Sequence, residues 1–90
     1  MNADPNLAEG HVLLGGLLAG DQRLAEAVSE YQQAVKLQPG FSQAQLDLGL
    51  LLVTQGDLRS ATEHLRKAAA GKDPDVARQA AEALQRISKP

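Results

Sequence analysis

The feature that most constrains this chain is an internal repeat. Displacing the sequence by 34 residues places Leu14 on Leu48, Gly15 on Gly49, Leu17 on Leu51 and Leu18 on Leu52. The same displacement matches Leu24 with Leu58, Ala27 with Ala61 and Ala34 with Ala68. All seven identities fall on apolar or small residues. Repetition at this period marks a stacked architecture, in which each unit buries one face against the next. Composition says what the units are made of: Leu and Ala supply 15 residues each, and Tyr31 and Phe41 are the only aromatics. Good helix formers dominate and β-branched residues are scarce, which predicts an all-α chain and disfavours a sandwich or barrel.

Caps and turns divide the chain into five helices. Asp4-Pro5 starts the first, which runs to about Ala19. Gly20-Asp21 ends it and caps the second, about Arg23 to Leu37, which Pro39-Gly40 stops. Ser42 opens a third helix to about Gln55, ended by Gly56. Asp57 caps a fourth to about Ala70, ended by Gly71, and Asp73-Pro74 starts a fifth to about Ser88. Helices joined by such short turns are antiparallel neighbours, in the order A, B, A′, B′, C. At 90 residues and 43% hydrophobic, the whole chain 1–90 forms a single domain.

Gly in mid-helix costs about 1 kcal/mol against Ala, so Gly15 and Gly49 each mark a place where a second helix crosses closely. Ala27 and Ala34, and in the next unit Ala61 and Ala68, are expected to supply the other side of each crossing. Leu14, Leu17, Leu18 and Leu24 are expected to surround the first crossing, and Leu48, Leu51, Leu52 and Leu58 the second.

These residues resemble the tetratricopeptide repeat family, whose unit reads W-x2-L-G-x2-Y, then A-x3-F, then P. The first unit reads His11-x2-Leu14-Gly15-x2-Leu18, then Ala27-x3-Tyr31, then Pro39. The second reads Gln45-x2-Leu48-Gly49-x2-Leu52, then Ala61-x3-Leu65, then Pro74, which arrives one residue late. The departures are at the aromatic places, held by His11, Gln45, Leu18 and Leu52. The resemblance implies a right-handed α-solenoid with a first repeat at about 8–41, a second at about 42–75 and a capping helix at about 74–88. Pro5 lies one period before Pro39, so Asp4-Pro5-Asn6 fits either a helix start or the tail of a preceding unit.

The last helix has the pattern of a cap. Ala80, Ala83, Leu84 and Ile87 fall on one face, while Arg78, Gln79, Glu82, Gln85, Arg86 and Lys89 keep the rest wet. It is expected to shield Leu48, Leu52 and Leu65.

Nothing in the sequence supports turnover. There is no Cys, and His11 and His64 are the only histidines, neither with a second ligand at metal spacing on its own helix. No nucleophile elbow occurs, and Gly15-Gly16 and Gly20 lack the strand and the Lys-Ser/Thr of a phosphate loop. His11 reads as a packing residue, and Glu26 and Glu30 as a solvated face. No metal, cofactor or catalytic residue is expected. The net charge of −2, without a basic patch, argues against nucleic acid. No apolar run is long enough to span a bilayer and no basic n-region opens the chain, so it reads as soluble and by default cytoplasmic.

What remains is surface. The resemblance implies a concave groove lined by the first helix of each repeat, receiving a peptide or helix of a partner protein. Its places are Glu9, Val12, Gly16 and Ala19 in the first unit, and Gln43, Leu46, Asp47, Leu50, Val53 and Thr54 in the second. Leu46, Leu50 and Val53 form a stripe apart from Leu48 and Leu52, so that helix is apolar on a second face. One subgroup of the family clamps C-terminal carboxylates with cations. The matching places here, Val12, Gly16, Leu46, Asp47 and Leu50, hold none, which implies an apolar or amphipathic guest instead. Glu9, Gln43 and Asp47 give a mildly acidic margin, with Arg78 and Gln85 as contributors from the last helix. The alternative use of the stripe is self-association, as a homodimer or within a longer repeat protein.

Overall fold

The computed structural model describes residues 6–88. They form five helices, α1 (Asn6–Gly20), α2 (Leu24–Leu37), α3 (Ser42–Thr54), α4 (Leu58–Ala69) and α5 (Pro74–Ser88). α1 packs on α2 and α3 on α4, and the two pairs meet where α2 lies on α3. α5 closes the stack against α4 and α3. The result is an all-α repeat solenoid, 47 Å long and only 19 Å through its thinnest direction, or about two helix diameters. The Asp4-Pro5 helix start and Lys89 lie outside the described residues.

Gly15 and Gly49 each make room for a large side chain. A Cβ built on Gly49 would lie 2.7 Å from Leu65 Cγ, and one on Gly15 would lie 3.1 Å from the ring of Tyr31. The residue filling the space is therefore the one four places after Ala27 in α2 and after Ala61 in α4. Ala27, Ala34, Ala61 and Ala68 are all fully buried, and the carbonyl of Ala61 lies 3.4 Å from a Cβ built on Gly49, that of Ala68 3.3 Å from one built on Gly71.

The turns inside the two units repeat one another. The amide of Arg23 donates to the carbonyl of Leu18 at 2.9 Å, and one period on the amide of Asp57 donates to Leu52 at the same length. Both turns need one left-handed residue, supplied by Gln22 (φ 65°) in the first and Gly56 (φ 85°) in the second. The left-handed stop of α1 is thus Gln22 and not Gly20, which is the last helical residue. Asp21 does not cap α2; the N-cap is Arg23, whose side chain makes no capping hydrogen bond. Asp57 does cap α4 through the amide of Ser60, and Asp73 caps α5 through the amides of Asp75 and Val76. Pro39 sits in the turn before α3, whereas Pro74 is the first residue of α5.

Burial departs from the repeat pattern at the ends of the stack. Leu48 is fully buried, but its counterpart Leu14 is 45% exposed, and Leu17 is 73% exposed where Leu51 is 8%. The cause is a missing neighbour: α2 covers this face of α3, and no described helix covers the same face of α1. Leu14 and Leu17 therefore do not surround the first crossing as expected. At the other end, α5 buries Val76 and Ala80 against Leu46, Leu65 and Ala68, with Ala83, Leu84 and Ile87 packed around them. Leu48 and Leu52 belong to another cluster whose buried members come from α2, α3 and α4, and Ile87 of α5 packs against that cluster too.

Candidate partner-binding groove

The residues assigned to the groove divide by depth. On α1, Glu9 and Gly16 are exposed, while Val12 and Ala19 are half-buried against the packing between the two helix pairs. On α3, Gln43, Leu50 and Thr54 are exposed, and Asp47 and Val53 are half-buried. Thr54 turns its hydroxyl back onto its own helix, donating to the carbonyl of Leu50 at 3.2 Å. Leu46 is 1% exposed and packs under α5, so it serves the core and offers nothing to a guest. The stripe read from the sequence is therefore reduced to Leu50 and Val53.

Those two residues line one end of an apolar hollow of about 380 Å³, completed by Leu58 from the start of α4 and by Ala83, Arg86 and Ile87 from α5. Leu58 repeats Leu24, a likeness that suggests core, yet Leu58 is nearly half exposed while Leu24 packs against a buried cluster. From α5 it is Arg86, and neither Arg78 nor Gln85, that reaches the hollow.

Towards α1 the surface turns polar. Gln43 donates to Asp47 Oδ1 at 2.9 Å. Burial raises the Asp47 carboxyl above its ordinary range, partly offset by that hydrogen bond. Burial also pushes the Tyr31 phenol up, and the nearby Asp47 charge pushes it further. A Cβ on Gly16 would lie 3.6 Å from the Tyr31 hydroxyl, so Gly16, Tyr31 and Asp47 share one neighbourhood. Neither α1 nor α3 contains a Lys or Arg. Asp47 thus loses solvation without a cation from either helix.

Behind the groove, each helix pair is tied by a histidine. His11 Nδ1 meets Glu30 Oε1 at 2.7 Å, and His64 Nδ1 meets Gln45 Oε1 at 2.7 Å. Glu30 is therefore half-buried against His11 and leaves the solvated face, whereas Glu26 stays exposed and pairs with Arg23 at 2.7 Å. Gln45, the buried polar residue of α3, donates its amide to the carbonyl of Pro39 at 3.0 Å. With that donor spent, its oxygen accepts from His64, which fixes the neutral ring with its proton on Nδ1. Burial lowers the His64 pKa, as does Lys67, against an opposing pull from Glu63.

Among the described residues no group of His, Cys, Asp or Glu is placed to hold a metal ion, and no helix is long and apolar enough to cross a membrane.

Residues 8–41 match the family model of the tetratricopeptide repeat. The chain is also similar to a peroxisomal targeting signal receptor of Candida albicans, 40% identical over 52 residues. That stretch is 58% of this chain and 9% of the receptor, so the chain spans a small part of its relative's length. Segment 8–41 thus matches a tetratricopeptide repeat in sequence, and its motif residues lie on the helix pair α1 and α2.

Proposed function

We propose that this repeat solenoid is a non-catalytic protein-interaction module whose concave side takes an amphipathic segment of a partner protein. One observation carries the reading: an apolar hollow stays open where α3 and α5 meet, although the same helices bury Leu46 fully. Leu50 and Leu58 stand 42% and 46% exposed at its edge, a arrangement suited to one or two apolar anchors from a guest. The guest's charge follows from the other end of the groove, where Glu9 and Asp47 have no cation beside them on α1 or α3. A Lys or Arg placed beyond the apolar anchors of the guest meets that need. The relative is by name a receptor for a targeting signal, which favours recognition of a protein segment over other uses of the fold.

The test is a selection of random peptides displayed on phage, followed by NMR of the chain with each selected peptide. Peptides with apolar anchors and a nearby cation are expected, shifting the methyl signals of Leu50, Val53 and Ile87. Leu50→Glu is expected to abolish binding while the far-UV circular dichroism stays unchanged. Binders that map to another face, or that survive Leu50→Glu, sink the groove reading. A dimer of the free chain that Leu50→Glu dissolves assigns the stripe to self-association.

A further inference from the structure

Three residues where α1, α2 and α3 meet cost stability that packing does not return. Gly16 lies inside α1 on its exposed side, where Gly costs about 1 kcal/mol against Ala. Gly15 beside it yields to the Tyr31 ring, but a Cβ on Gly16 would meet only the Tyr31 hydroxyl, at an ordinary 3.6 Å. Tyr31 itself is 5% exposed, and its ring fills a place that the repeat motif gives to Phe. The hydroxyl adds nothing to that packing: it bonds to no described residue and is not sealed from solvent. Asp47 is the third. It stands one turn before Leu51 on the same face of α3, and Leu51 shares the buried cluster of Tyr31. Gln43 donates to its Oδ1, and no described residue bonds its Oδ2. In the second unit the places of Gly16 and Tyr31 hold Leu50 and Leu65, so both the opening and the hydroxyl are missing there. Unfavourable local choices that converge on one spot mark a place kept for function.

We propose that Tyr31 Oη and Asp47 Oδ2, reached through the opening at Gly16, form the seat of a primary ammonium, the lysine side chain of the guest. This seat presupposes the groove reading and names the group received at its polar end. An ammonium has three N–H donors and no acceptor, and each of the two oxygens accepts one donor while the third stays with solvent. No Lys or Arg of α1 or α3 competes for the place. A carboxylate or phosphate would meet the Asp47 charge directly and be repelled. Arginine fits less well: its planar fork is strongest when it grips both carboxylate oxygens, and Gln43 already holds Oδ1. A neutral amide could bond to both oxygens but would leave the Asp47 charge uncompensated in its half-buried place.

The probe is a displayed library of helical peptides with two Leu anchors four apart and one further place restricted to Lys, Arg, Gln or Glu. Lys is expected to be enriched there. The best sequence is then synthesised with each of the four residues and titrated calorimetrically. Tyr31→Phe keeps the ring and should leave the urea midpoint in place, yet weaken the Lys peptide about tenfold and the Gln peptide less than twofold. Gly16→Ala should raise the melting temperature and still weaken the Lys peptide, because its methyl takes the opening. Tyr31→Phe that costs the Lys and Gln peptides alike, or costs neither, overturns the proposal. Enrichment of Arg, Gln or Glu overturns it too, and where Leu50→Glu still abolishes that binding the groove itself stands. Peptides indifferent to Leu50→Glu sink the groove reading, and the ammonium seat falls with it.

Discussion

Replacing Gly49 by Ala sets two known effects against each other at one atom. In an exposed helix interior the change stabilises by about 1 kcal/mol, because Ala loses less backbone freedom on folding. Here the new methyl would stand 2.7 Å from Leu65 Cγ and 2.8 Å from its Cδ2, closer than carbon atoms approach. Leu65 is fully buried under α5, and Cγ is its branch point, so it retreats only by pushing on Leu46, Ala68 or Val76. Overpacking of this kind costs about 1–3 kcal/mol, leaving a net loss of about 1 kcal/mol for Gly49→Ala. Gly15→Ala is the internal control. Its methyl would meet the edge of the Tyr31 ring at 3.1 Å, where a slide of a few tenths of an ångström relieves the contact. That variant is expected to be neutral or stabilising, by up to about 0.5 kcal/mol.

Urea unfolding followed at the helical circular dichroism band reads both changes, with an unchanged slope confirming that only stability moved. The decisive measurement is a double-mutant cycle with Leu65→Ala, which empties the contested space at its own cost of about 2–5 kcal/mol. On that background Gly49→Ala should become stabilising. If Gly49→Ala gains the full propensity increment in the native chain and shows no coupling to Leu65, the close crossing does not determine why glycine stands there.

Three further outcomes follow from single contacts. Gln45→Ala removes a buried side chain and takes a partner from the Pro39 carbonyl and from the half-buried His64 ring, and should lower stability by about 1 kcal/mol in the same urea assay. Gln22→Gly removes a side chain from a left-handed residue whose counterpart is already Gly56, and should raise the melting temperature by a few degrees. His64 holds its proton less tightly in the folded chain than at its ordinary value of 6.5, so the unfolded chain binds more protons just below that pH. Stability is then expected to be full above 6.5 and to fall as the pH drops through 6.5 towards the lower folded value, a slope that His64→Gln should flatten.

The helices were legible because their limits are written in single residues: Asp57, Asp73, Pro39 and Gly56 act on the backbone next to them. Burial was less legible, because it depends on what lies across the interface. Leu14 and Leu48 occupy the same place in the motif, and only the presence of α2 over one of them separates their fates. Leu46 reads as a groove residue until α5 is laid over it. The histidine contacts escaped for another reason. A search for identity one period apart cannot see His11 and Glu30 answered by Gln45 and His64, since neither residue type is kept in place. A search for hydrogen-bonding partners at two places at once would find them.

That exchange of partners gives the two helix pairs different keys. Both ties occupy the same pair of places, but the histidine stands on the first helix of one unit and on the second helix of the other. Sequences that repeat can slip, with α3 folding onto α2 in the arrangement meant for α1. Such a slip would set the Gln45 oxygen against the Glu30 carboxylate, and turning the amide over to donate there would set that oxygen against the Pro39 carbonyl instead. The complementary error would set His11 against His64 and leave both native acceptors behind. Mispairing is thus penalised at a half-buried place by polar groups, in addition to whatever the apolar residues of the two units contribute.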